Sequence, residues 1–178
     1  MENLLAPSRL EFFHLILQTV PVSVLPLGRH AGIAVNHVFL RYLDRYLSRS
    51  GSITIKEDGR PIGYIGVSPS DAHDLGYGLG RAHWGKGIAA EAGRAVLERC
   101  RRAGYPFVTA THDVHNPHSG RVMQKLGMIY RYSYQEQWQP KDIPVTFRMY
   151  QLNFDGNDDG VYRKYWDSSK VHFVETFD

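Results

Sequence analysis

The stretch Asp74 to Arg94, DLGYGLGRAHWGKGIAAEAGR, constrains the fold more than any other part of the chain. Leu75, Tyr77 and Leu79 fall on one face by the two-residue period of a strand. From Ile88 the spacing turns helical, with Ala89, Ala92, Gly93, Val96, Cys100 and Ala103 forming a stripe of small residues. Trp84-Gly85-Lys86-Gly87 joins the two. Glycine lets a backbone turn tightly and brings bare amides close to a ligand. A helix that starts there presents unpaired amides and the positive end of its dipole. Strand, glycine turn and helix start together describe a place for a phosphate-bearing ligand, although a tight connection accounts for the pattern alone equally well. A Walker loop is excluded, because Ile88 follows Gly87 where Ser or Thr is required, and the third glycine of a dinucleotide fingerprint is missing.

The chain has 178 residues, enough for one domain with a real core. A hydrophobic content of 43% with 12% aromatics is that of a globular protein. A net charge of +3 suits a polyanionic ligand and is far too small to indicate nucleic acid. The single cysteine, Cys100, allows no internal disulfide and fits a reducing, cytoplasmic setting; its place on the helix stripe reads as a buried structural thiol. The apolar run Leu15 to Leu27 contains Gln18, Pro21 and Pro26 and is too short for a membrane span, so no membrane partner is expected.

In chain order, residues 1–36 form an atypical opening, with Leu10 to Leu15 as a candidate strand. Asn36 reads as an N-cap, before a helix with Phe39, Leu43, Tyr46 and Leu47 on one side and Gly51 at its end. Ile53 to Lys56 and Ile62 to Val67 are expected to pair through a hairpin turn at Asp58-Gly59. After the glycine-started helix, Gly104 is a C-cap and Phe107 to Thr111 the next strand. Asn116-Pro117 is an N-cap with a first-turn proline, and a short helix runs to Gly127. Met128 to Gln139 alternates, which places Met128, Tyr130, Tyr132, Tyr134, Glu136 and Trp138 on one face. Val145 to Leu152 returns as a strand. The tail 155–178 carries Tyr162, Tyr165, Trp166 and Phe173, apt for docking on the body or for a homodimer contact.

Two motifs carry a resemblance. Leu75-Gly76-Tyr77 with His83-Trp84-Gly85-Lys86-Gly87-Ile88-Ala89 and Glu91-Ala92 resembles the acetyl-CoA motif of the GNAT family of N-acetyltransferases, closest to its ribosomal-protein N-terminal branch. Ala82 stands where the family's loop often has Gln or Arg. Asn116-Pro117-His118-Ser119, followed by Val122 and Lys125-Leu126-Gly127, is similar to a second family segment, with Met128 replacing the usual phenylalanine. The resemblance covers about residues 36–152. It implies an α/β domain with a mixed, twisted sheet splayed at the central strand and helices on both faces, its core spanning 37–154.

By the same resemblance, acetyl-CoA is the co-substrate. Its pyrophosphate would lie on Trp84, Gly85, Lys86, Gly87 and Ile88, and its thioester beside Leu79 and Gly80. Asn116 would meet the pantetheine arm and Ser119 would protonate the departing thiolate. The acceptor implied is an amine, at a protein N-terminus or on a small molecule. Strand parity nominates Glu136 as general base, the one charge on an otherwise aromatic face where lost hydration raises a carboxyl pKa; equally, it solvates an exposed edge. His112, Asp113, His115 and His118 lie close in sequence, but without helical ligand spacing, and no metal is expected. His112 or Asp113 at the strand end is the next candidate to touch the acceptor. A rival reading is a non-catalytic acyl-CoA-binding sensor, which turnover with amines would separate from an enzyme.

Overall fold

The computed structural model describes residues 33–36, 50–55, 59–138 and 142–177. The expected strand at Leu10 to Leu15, and the helix expected after Asn36, lie outside the described residues. The first sheet is antiparallel in the order β1 (Ile33–Asn36), β2 (Ser50–Ile55), β3 (Pro61–Val67) and β4 (Leu75–Leu79). Gly51, expected to end a helix, is instead inside β2, opposite Ile65. Helix α1 (Ile88–Arg102) starts right after the glycine turn.

The second sheet is also antiparallel and runs β5 (Phe107–Asp113), β7 (Ile143–Asn153), β6 (Ile129–Trp138), β8 (His172–Phe173). Helix α2 (Pro117–Lys125) connects β5 to β6, and a short α3 (Lys164–Ser168) precedes β8. The two sheets touch through one parallel bridge, Asp74 to Thr109, reinforced by the Thr109 amide donating to His73 O at 3.3 Å and Thr109 Oγ1 to Ala72 O at 2.8 Å. Beyond it the sheets part, which is the splay expected at the central strand. No described helix is long and apolar enough to cross a membrane.

Two apolar clusters, one on each face of the second sheet, hold the layers together. The larger joins Ile53, Ile65 and Val67 of the first sheet, Val108 and Ala110 of β5, and Leu97 and Cys100 of α1 with Met123 and Leu126 of α2. Helices α1 and α2 approach closely at Gly93, where a Cβ would sit 2.7 Å from a Leu126 methyl. The smaller gathers Tyr132, Tyr134, Val145, Phe147 and Met149, covered by Val161, Tyr165 and Trp166. Here the aromatic tail docks on the body: Tyr165 stacks on Tyr134 at 5.1 Å, and Trp166 meets Tyr132 edge-on at 5.4 Å.

Strand β6 departs from its expected alternation. Tyr130 pairs with Tyr150 but Tyr132 pairs with Met149, so Arg131 is an extra residue. A bulge of this kind inverts the parity of everything after it. Met128 and Tyr130 therefore face the larger cluster, while Tyr132 and Tyr134 face the tail. The single face running from Met128 to Trp138 that strict alternation predicts does not form.

Helix α2 lies tight on β5 because Gly120 has no side chain: a Cβ there would be 2.6 Å from His112 Nε2. His112 is 4% exposed. Its Nδ1 lies 2.8 Å from Asp113 O, which can only accept, so Nδ1 carries the proton and Nε2 a lone pair with no partner among the described residues. Burial is the largest influence on this imidazole and lowers its pKa below the ordinary 6.5. Below that pH the unfolded chain binds a proton that the folded chain refuses, so stability is full above about 6.5 and falls as pH drops toward the depressed value. The loss should approach at most about 1.4 kcal/mol per pH unit. Chemical denaturation from pH 7 to 5 should show a shallower decline for His112→Gln than for the wild type.

Candidate active site

The site begins at the end of β4, where the pairing pattern decides which groups are free. The Gly80 amide donates to Ile62 O at 2.8 Å, and Ser68 N donates to Asp74 O at 2.9 Å, so even-numbered residues of this strand direct their main chain at β3. Odd-numbered residues direct theirs the other way, as His73 O does in accepting from Thr109. The N–H and C=O of Leu79 thus point into the opening between the sheets. The Trp84 indole Nε1 takes the carbonyl at 2.8 Å, which ties the glycine loop back to the strand end. The amide is left facing the opening.

A short 3₁₀ turn, Arg81–His83, follows Gly80. The Trp84 amide closes it on Arg81 O at 3.2 Å, so this amide, expected among the phosphate donors, is already engaged. No described residue accepts from the amides of Gly85, Lys86 or Gly87. Gly85 and Gly87 have φ of 74° and 79°, the left-handed region that glycine adopts without strain. A Cβ built on either meets nothing within 4 Å, so the loop's outer side is open. Gly87 is the N-cap of α1 and supplies no side-chain acceptor to the first-turn amides of Ile88, Ala89 and Ala90. Successive open amides and a helix start are an arrangement that can take an anion.

Across the opening stands the start of α2. Asn116 caps it, Oδ1 accepting from the Ser119 amide at 3.4 Å. Its Nδ2 donates to Ser119 Oγ at 3.0 Å, so one of its two amide hydrogens is spent inside the cap rather than left for a ligand. Ser119 Oγ, acting there as acceptor, keeps its own O–H to donate. Tyr77 of β4 reaches over the gap and donates its hydroxyl to Ser119 O at 2.8 Å. Burial pushes the Tyr77 pKa up, so it stays a neutral donor. This link joins the two sides of the opening; the sequence places Tyr77 on one face of its strand and in the family-like motif, with no sign of the contact to Ser119.

The remaining nominees separate. Glu136 is exposed and, past the bulge, on the tail side with Tyr134. It lines a cavity of about 700 Å³ with Asp71, Tyr162, Tyr165 and Lys170. The premise that it shares an apolar face with Met128 and Tyr130 is thereby corrected. The histidines also diverge: His112 points into the core, His115 Nδ1 meets Asp113 Oδ1 at 2.9 Å, and His118 meets the Arg121 guanidinium at 2.7 Å. No cluster of metal-ligating side chains exists among the described residues.

The family described as Acetyltransferase (GNAT) domain matches residues 34–129. The uncharacterized protein YkkB of Bacillus subtilis (strain 168) is 35% identical over 88 residues, 44% of this chain and 51% of that protein. The match therefore spans about half the length of that relative. Two solved structures share the fold at 18% identity. The ribosomal-protein-S5-alanine acetyltransferase of Vibrio fischeri gives a TM-score of 0.57, over 67% of this chain and 69% of that one. The Microcin C7 self immunity acetyltransferase MccE, solved in complex with acetyl-CoA and AMP, gives 0.55 over 65% and 68%. With more than half its length matched by the family model, the chain belongs to the GNAT acetyltransferase family.

Proposed function

We propose that the protein moves an acetyl group from acetyl-CoA to a primary amine by direct attack. The observation that carries this is the opening between β4 and β5, with open loop amides on one wall and a hydroxyl held on the other. The pyrophosphate would sit on Gly85, Lys86, Gly87 and the Ile88 end of α1, with Trp84 holding the loop in place. The Leu79 amide, aimed into the opening beside Gly80, would hold the thioester oxygen as negative charge develops. The amine nitrogen attacks the carbonyl carbon and the C–S bond breaks. The ammonium proton goes to a base, and Ser119 returns a proton to sulfur. Asn116 orients that hydroxyl and has one amide hydrogen left for the pantetheine arm.

For the base, the family resemblance favours Glu136, which would work from the solvent end of β6. His112 is the alternative inside the fold, since its Nε2 lone pair is unpartnered and its depressed pKa keeps it neutral near pH 7.

Acetyl-CoA at about a hundred times its dissociation constant should stabilise the protein by about 2.7 kcal/mol. Gly87→Val should remove that shift by crowding the loop. At φ 79° it should also cost the ligand-free protein about 1–2 kcal/mol, because a branched residue strains the left-handed backbone. Thermal melts of both proteins with and without the cofactor test this, and an intact ligand shift in the variant would overturn the assignment.

Turnover separates the chemical roles. Ser119→Ala should lower kcat with little change in the dissociation constant for acetyl-CoA. Glu136→Gln should slow transfer about 10²–10⁴-fold and abolish the acidic limb of the pH–rate profile if the carboxylate is the base. Wild-type rates from that variant across pH would pass the role to His112 or a water. Cofactor binding without thiol release, for any amine, would favour the sensor reading.

A further inference from the structure

Arg148 and Ser133 hold a carboxylate in a way that resembles a ligand site. Arg148 on β7 is directly opposite His112 on β5 and Ser133 on β6. Directly opposed residues share a face, so the three side chains form one row on the face that carries α2. Glu175, from the tail beyond β8, closes onto this row. Arg148 Nε donates to its two carboxylate oxygens at 2.9 and 3.1 Å, while Arg148 Nη2 and Ser133 Oγ donate as well. The Tyr130 hydroxyl accepts the Glu175 amide at 3.0 Å and lies 3.0 Å from Ser133 Oγ. Phe177 sits over the guanidinium at 5.1 Å and edge-on to Tyr130 at 4.9 Å. The guanidinium holds the Glu175 carboxyl below its usual pKa.

Two features set this apart from an ordinary surface ion pair. The first is position. His112 opens the row, and its unpartnered Nε2 lies against Gly120, the residue after Ser119. The row therefore leads from the opening between β4 and β5 into the second sheet. With strands about 4.8 Å apart, Arg148 is roughly 5 Å and Ser133 roughly 10 Å beyond β5. The second is the occupant. Residues 174–177 belong to no helix or strand, and Val174 and Phe177 are exposed. The Arg148 and Glu175 side chains themselves are only 25% and 20% exposed. A partly desolvated, forked carboxylate site is thus filled by a segment outside any helix or strand, and a second carboxylate could make the same fork.

We propose that the Arg148–Ser133 row is a carboxylate-binding site for the acceptor, filled in cis by Glu175 until a carboxylate on the incoming amine displaces it. The proposal rests on the acetyl transfer inferred above and narrows its acceptor. With the nitrogen beside Leu79 on β4, the carboxylate would lie across the gap to β5 and a further strand spacing to Arg148, at least about 10 Å away, the span of a tripeptide or longer at roughly 3.5 Å per residue. The segment around Glu175 would then act as an internal competitor that selects for acceptors able to replace it.

The test uses triglycine and its C-terminal amide as paired acceptors with the full chain. Wild type should prefer triglycine in kcat/KM, Glu175→Gln should widen that preference about tenfold, and Arg148→Gln should abolish it. Equal ratios in all three proteins would overturn the proposal. A second readout needs no turnover: amide hydrogen exchange of residues 174–177 with coenzyme A present. Triglycine should speed exchange there and the amide should not; no response to either would refute the site whatever the kinetics show. If exchange responds but no amine is acetylated, the carboxylate site stands and the acetyl-transfer reading falls. Should Arg148→Gln fail to fold, Arg148→Lys keeps the charge, loses the fork and should lose most of the preference.

Discussion

Strands β4 and β5 meet at one bridge and then part, and most of the molecule's arrangement answers to that separation. Beyond Asp74 and Thr109, each strand has a hydrogen-bonding edge that no strand among the described residues fills. Main-chain groups left inside a protein without partners are costly, so such an edge persists only where side chains, water or a ligand reach it. The indole of Trp84 serves Leu79 O, and the Tyr77 hydroxyl spans the gap to Ser119 O. The Leu79 amide and the glycine-loop amides are left over, on the side where α1 directs its dipole. The proposed acetyl-CoA, with an anionic middle and a polarised carbonyl end, would use that inventory.

The second sheet solves a different problem. One face is covered by α1 and α2, but the other needs a layer, and the chain beyond β7 supplies it with Val161, Tyr165 and Trp166. Inverting parity at Arg131 is what lets β6 serve both faces, giving Tyr130 to the helices and Tyr132 and Tyr134 to the tail. Arg131 itself pairs with Asp158 at 3.2 Å, in the loop that leads toward α3. The tail is thereby part of the domain's packing, and its end reaches around the sheet edge through β8 to place Glu175 on the helix side.

What could be read from residues alone was local. Turn chemistry at Gly85 and Gly87, the Asn116-Pro117 cap, the small-residue stripe of α1 and the glycines after each helix all follow from near-neighbour sterics and hydrogen bonding. These features locate the glycine loop proposed to take the phosphates, and the Ser119 hydroxyl, without reference to the rest of the chain. The bulge escaped because its extra residue is an arginine between tyrosines, and alternation of residue types carries no mark of a skipped pairing. Gly51 is ambiguous for a similar reason: a glycine reads as a helix end or as a strand position with no change in composition.

The sequence by itself determined the strand, glycine turn and helix start, and the capped helix opposite, because those are set by dihedral preferences and contacts within a few residues. Only the tertiary structure decided that Tyr77 would bridge to Ser119, that His112 would be buried against Gly120, that Glu136 would face the tail, and that Glu175 would fill the Arg148 fork. Those four depend on strand register and on contacts between residues far apart in sequence. A single-residue shift in pairing, such as the one at Arg131, changes which face a side chain occupies and leaves the local pattern untouched.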